Sequence, residues 1–314
     1  MYAILGLAAL HLSHLSPATS KPATALAYHD HCIKLMVPML SDTTKVHDDI
    51  LLLTSIILAL YEDLDEGADS LRHVDGTSLI LPSISLDSPL QRAVCWAHLR
   101  QGIYVSCSKR KPMQKLERIP LEPGFEPVGD DVWVHRTLSI CARAVQWAFG
   151  EDSTASTWRE LNSLITQWES KRPGSFIPIF RCDRSPGEGC YFPQICYVTD
   201  NHVSGNQFLL LAKLLLVTHD PTLPRIGPRM KTALENMQEE ARRIVWDLCG
   251  MALWNDYVPA GFIAALALRM CGSLFEDETD RYHLLEVLRI TEERSGWPRA
   301  VAERALREEW GWEV

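Results

Sequence analysis

Trp133-Val134-His135-Arg136-Thr137-Leu138-Ser139-Ile140-Cys141-Ala142-Arg143-Ala144-Val145-Gln146-Trp147-Ala148-Phe149 decides the fold. Val134, Leu138, Cys141, Val145 and Ala148 fall at i, i+4, i+7, i+11 and i+14, which is one stripe of an amphipathic helix. Arg136, Arg143 and Gln146 are expected to point away from that stripe. Trp158, Leu161, Leu164, Ile165 and Trp168 repeat the pattern. Lys171-Arg172-Pro173-Gly174 then ends the helix, because proline disfavours helical geometry in the residue before it. Trp158 and Trp168 are expected in the core.

Working outward, Ile50–Tyr61, Phe208–Val217 and Phe262–Met270 are apolar on nearly every side, as central helices packed on several faces would be. Asp280–Trp312 carries Leu284, Leu285, Leu288, Val301, Ala305 and Leu306 among Arg and Glu, and reads as two amphipathic helices separated by Ser295-Gly296-Trp297-Pro298. Period-two alternation is nowhere sustained, and Pro178 argues against a central strand in Phe176–Phe180. The fold class is therefore all-α, a single large multi-helix domain with long irregular connections. Those connections are Lys109–Asp131 and Pro173–Pro193, rich in Pro, Gly and charge.

With 314 residues, 46% of them hydrophobic, the chain can bury a large core. Its net charge of −9 argues against polyanion binding by the chain as a whole. Nine cysteines without regular close spacing suggest a reduced intracellular protein with mostly buried thiols. The apolar opening Tyr2–Leu12 has no Lys or Arg ahead of it, unlike a secretory signal. Ile50–Tyr61 is too short to span a bilayer core of about 30 Å, so no membrane is expected. Because the helical-core pattern begins immediately after Met1, an upstream module is expected to have been lost or never present.

Cys182, Cys190, Cys196 and His202 could in principle wrap Zn²⁺, but no C-x₂-C chelate occurs among them. Buried or incidental cysteines are the expectation, with no metal and no cofactor. His29 and His31 lie on different faces of a helix, so His29-Asp30-His31-Cys32 is expected to be structural. Glu62, Asp63, Asp65 and Glu66 are similar to the aspartate-rich Mg²⁺ site of class I terpene cyclases, but the spacing differs and a second metal segment is missing. They are expected to solvate a helix end. Lys109, Arg110 and Lys111, with Lys115 and Arg118, form the concentrated basic patch, either a solvated loop or a nuclear-import signal. No phosphate-binding glycine loop, H-E-x-x-H or G-x-S-x-G motif is present.

Several segments together carry a resemblance. They are Ala3–Ser13, Ala27-Tyr28-His29, the helix ending Leu60-Tyr61-Glu62, Arg72-His73-Val74-Asp75-Gly76, Trp96–Tyr104, Trp158–Trp168 with Arg172-Pro173, and Trp254–Gly261. Their order resembles the fungal-specific transcription factor domain, the regulatory domain of Zn₂Cys₆ transcription factors, across residues 1–314. The resemblance implies a nuclear all-α regulator, with the cytoplasm as the other compartment, of a metabolic or secondary-metabolite gene cluster. Its implied partners are other transcription factors, a second copy as a homodimer, or a small-molecule effector. Family members carry an N-terminal zinc cluster that places a helix in the major groove. Cys32 to Cys271 cannot supply such an array, so no direct DNA binding is expected from this chain alone. The alternative is a ligand-binding or catalytic all-α domain acting on a small metabolite, with His73, Asp75, Arg100 and Tyr104 as the candidate effector-pocket residues. The absence of a catalytic constellation favours a non-enzymatic regulator.

Overall fold

A computed structural model describes residues 1–16, 22–41, 49–65, 88–113, 124–151 and 153–312. The described chain is all-α apart from one small two-stranded sheet. It divides into two compact units. The first comprises Met1–Gly102, Gln114–Ile119 and Glu292–Val301, and the second Ile103–Met113, Pro120–Thr291 and Ala302–Val314.

In the first unit, α1 (Tyr2–Leu15), α2 (Pro22–Ser41) and α3 (Asp49–Leu64) pack together. Along α1 the buried positions are Ala3, Gly6, Leu10 and Ser13, a narrow stripe of mostly small side chains. Small side chains let helix backbones approach: a Cβ built on Gly6 would lie 3.5 Å from the His29 main-chain nitrogen and 3.6 Å from Tyr28 Cβ. Leu10 and Ala25 then cluster with Tyr61 and Leu64, while Ala3, Cys32 and Met36 cluster with Leu51 and Leu58. Leu52 and Ile56 meet Val94 of α4 (Pro89–Lys109). The apolar run Ile50–Tyr61 is not buried all round as its composition suggests, because Ile50 and Leu53 are exposed. Ser295 and Gly296, at the break between the two C-terminal helices, present carbonyls to His11 and His14. Gly296 has φ +66°, a left-handed conformation that glycine adopts without steric cost.

The second unit contains α5 (Asp130–Phe149), α6 (Ala155–Lys171), α7 (Asp200–Thr218), α8 (Met230–Trp254) and α9 (Pro259–Cys271). Most residues of α10 (Glu278–Ser295) and α11 (Ala300–Trp310) also belong to it. The five stripe positions of α5 turn inward, with Ala148 only partly covered, but Arg136 is buried too and does not point to solvent. Its guanidinium lies over the Trp133 ring at 4.6 Å and donates to the Glu126 carbonyl at 3.1 Å. A long cation can therefore occupy an inner face when its head finds an aromatic ring and a carbonyl. Trp168 is fully buried as expected, edge-on to Trp133 at 6.1 Å. Trp158 is only half-buried, its indole N–H donating to the Leu216 carbonyl at 3.0 Å.

Pro173–Pro193 is more than a surface connection. Phe176 is fully buried, and β1 (Phe180–Cys182) pairs antiparallel with β2 (Gln194–Cys196). The hairpin lies on α8, where a Cβ on Gly250 would fall 2.2 Å from the Pro193 carbonyl oxygen. Among the described residues no helix is long and apolar enough to cross a membrane.

Two outcomes follow. Gly250→Ala is expected to destabilise the protein, because a main-chain carbonyl cannot move aside and overpacking costs about 1–3 kcal/mol, more than the roughly 1 kcal/mol gained in helix propensity. Gly6→Ala meets only ordinary van der Waals contacts and is expected to stabilise by about 0.5–1 kcal/mol. Urea-unfolding midpoints of the two variants should shift in opposite directions.

His98, buried on α4, is the second case: burial lowers its pKa from 6.5 to about 4. Above pH 6.5 both folded and unfolded chains carry a neutral imidazole. Between pH 6.5 and 4 only the unfolded chain takes up the proton, so stability falls by on the order of 3 kcal/mol across that window. The acid-side slope of the urea midpoint should be visibly shallower in His98→Gln.

Candidate functional site

A polar cluster, largely withdrawn from solvent, lies where the N-termini of α5 and α7 meet the turn after α6. Asp130 and Asp131 occupy the first turn of α5, where the helix dipole favours carboxylates. Asp130 Oδ2 is 2.7 Å from His202 Nε2, and Oδ1 accepts from Ser175 Oγ at 3.1 Å. One turn further along α7, Asn206 donates to the carbonyls of Phe176 at 3.1 Å and His202 at 2.8 Å, and accepts from Arg172 at 3.2 Å. Phe176 stands edge-on to both His202 and Trp168. The turn Arg172–Phe176 is thereby pinned to α7. It begins at Arg172, whose extended φ −55°, ψ 145° is what the following Pro173 demands.

Chemically, an imidazole oriented by a carboxylate resembles part of a hydrolase triad. The order differs, since the Ser175 hydroxyl bonds to Asp130 and not to the ring. His202 Nδ1 is buried without a hydrogen-bond partner. The dyad therefore acts as a lock on the turn.

A second polar group fastens the hairpin. Arg181 makes a bidentate pair with the buried Asp247 of α8 at 3.0 and 3.2 Å. Burial holds the neighbouring Tyr197 hydroxyl well above its usual pKa, so that it stays a neutral phenol. Asn255 accepts from the Tyr197 N–H at 2.9 Å and donates to the Ile195 carbonyl at 2.8 Å.

The residues singled out in the sequence are placed as follows. His73 and Asp75 lie outside the described residues. Arg100 is exposed and Tyr104 half-buried, one turn apart on α4. Lys109, Arg110 and Lys111 are all exposed, and Lys115 and Arg118 lie outside the described residues. The basic run ends α4 in a Schellman motif, with Lys111 N–H on the Ser106 carbonyl and Arg110 N–H on that of Cys107. Arg110 takes the left-handed position at φ +51° that glycine usually fills.

Cys182, Cys190 and Cys196 sit on the hairpin, whereas His202 is engaged by Asp130. Among the described residues no three His, Cys, Asp or Glu side chains come together as a metal site. His29 stacks on Tyr61 at 4.7 Å, and His31 lies against Tyr2 at 4.1 Å.

Asp130, Ser175, Asn206 and Asp247 were not anticipated from the sequence. The available signal was the polar run His202–Gln207 leading directly into an apolar helix. No family model matches this chain, and neither a curated protein nor a solved structure matches it.

Asp130→Ala would leave His202 buried with neither ring nitrogen bonded. The expected cost is about 1–3 kcal/mol, read as a lower urea midpoint and as faster hydrogen exchange at the Ser175 and Phe176 amides.

Proposed function

We propose that this chain is a transcription-regulator-like protein of the fungal-specific transcription factor type. It serves a metabolic or secondary-metabolite gene cluster in the nucleus, and these 314 residues act through contacts with a partner or effector and do not read DNA bases. The observation that carries the reading is the role of the segments that bear the resemblance. Ala3–Ser13 packs on Ala27-Tyr28-His29 through Gly6, and Trp168 and Arg172 anchor the core of the second unit. Those segments are spent on holding helices together, as a regulatory scaffold requires. The net charge of −9 supports the same division of labour, because an acidic chain repels the phosphate backbone.

Tethering the chain to a heterologous DNA-binding domain in a fungal reporter strain tests the proposal. Reporter expression is expected to change several-fold, up or down, relative to the DNA-binding domain alone. An unchanged reporter, with the full-length fusion shown to be nuclear, would overturn it. Conversion of a metabolite that depends on the purified protein would overturn it equally.

A further inference from the structure

Among the described residues the small sheet is open on one side only. On the outer edge of β2, the side-chain amide of Asn255 bonds to the Tyr197 N–H and the Ile195 carbonyl, taking the place of a neighbouring strand. The register sets Arg181 of β1 opposite Ile195. Because the Ile195 carbonyl turns away from β1, the two residues form a pair without mutual hydrogen bonds, and Arg181 directs its own N–H and C=O to the opposite edge. Asp183 follows β1 directly, just outside the two-stranded ladder. Its carbonyl receives only a weak contact from the Cys182 thiol at 3.7 Å.

All three residues of β1 are exposed. Phe180 itself, at 51%, and Ile177 and Ile179 just ahead of β1, at 55% and 67%, are exposed apolar side chains. An unpaired edge next to exposed apolar side chains is a template for another strand.

The charges select which strand fits. Arg181 lies 3.2 Å from the carboxylate of Asp183, and the Asp183 side chain is 84% exposed. We propose that β1 pairs antiparallel with β1 of a second copy of this chain, about a two-fold axis through Cys182. This register puts Arg181 of each copy opposite Asp183 of the other, so two attractive pairs form at once. Centring the axis on Arg181 or on Asp183 would set like charges face to face, which disfavours both registers. With the axis at Cys182 and β1 extended by one residue to Asp183 on pairing, the main-chain groups of Arg181 and Asp183 are exchanged in both directions. Phe180 meets Cys182 of the second copy diagonally on the same face of the resulting four-stranded sheet. The two Cys182 residues form a pair without mutual hydrogen bonds, their Cα atoms about 4.5 Å apart, within the reach of a disulfide.

Sedimentation velocity over about 5–500 µM protein should show a reversible monomer–dimer equilibrium. Asp183→Lys turns two attractive pairs into two repulsive ones and should raise the dissociation constant about tenfold. Diamide, which accepts the two electrons released as two thiols join, should produce a covalent dimer. Peptide mapping should place its bond between the two Cys182 residues. Cys182→Ser should abolish that covalent dimer and leave the reversible one intact. A chain that stays monomeric throughout would overturn the proposal. So would a dimer indifferent to Asp183→Lys, or one cross-linked only through other cysteines.

Discussion

The second unit depends on a helix whose amino-terminal half is polar and nevertheless buried. In α7, His202, Ser204, Asn206 and Gln207 are all withdrawn from solvent, ahead of the apolar run from Phe208. A buried polar group left unbonded costs about 1–3 kcal/mol, so the partners of these side chains constrain what can lie around the helix. His202 requires the first turn of α5, which brings Asp130. Asn206 requires the Arg172–Phe176 turn, and Gln207 donates to the Ala260 carbonyl at the start of α9. Hydrophobic burial draws the helices together without specifying angle or register. The bonds from α7 supply that specification at three of its neighbours.

The same principle explains the hairpin. β1 and β2 are three residues each, too short to be stable on their own pairing. Asn255 and Asp247 hold them from α8 and from the residue that follows it, across sequence separations of about sixty residues. The Arg181–Asp247 pair stands at the boundary between core and solvent, with the carboxylate buried and the guanidinium partly exposed. That placement limits the desolvation penalty that makes fully buried ion pairs a weak source of stability.

How much of this was legible in the sequence follows from the range of each interaction. Helices α5 and α6, the apolar parts of α7 and α9, the stop at Arg172-Pro173 and the two C-terminal helices broken at Ser295–Pro298 rest on local periodicity and turn chemistry, and they stand where the sequence places them, whereas α8 and the polar first half of α7 were not read from it. Local pattern failed where a distant partner reverses a residue's preference. Arg136 reads as outward until Trp133 and the Glu126 carbonyl receive it. Trp158 reads as core, yet its indole N–H reaches the Leu216 carbonyl from a half-exposed position. Pro178 and the lack of alternation hid the hairpin, because Asn255 and Asp247 sustain it in place of strand propensity. For the candidate site, His202 stood out for the wrong reason. Its nearness in sequence to Cys190 and Cys196 suggested a soft-ligand cluster, whereas the fold gives it Asp130, seventy-two residues away.

The cysteines show where the chemistry of the molecule is concentrated. Cys107 and Cys271 are pushed up to about 12, and Cys141 and Cys249 well above the usual thiol range, all chiefly by burial. Cys32 and Cys95 shift in the same direction for the same reason. A thiol that stays protonated is a poor nucleophile and a poor metal ligand, so these six act as small apolar side chains within the helical core. Cys182, Cys190 and Cys196 are the ones left exposed or half-exposed, and all three belong to the hairpin, the one sheet element among the described residues. Helical packing consumes main-chain groups, so among the described residues of the second unit pairing through the main chain is left to the hairpin. The hairpin, anchored from behind by Asp247 and Asn255, keeps an open edge, an exposed thiol and paired charges at the surface. Recognition by the second unit should therefore be sought at its smallest element.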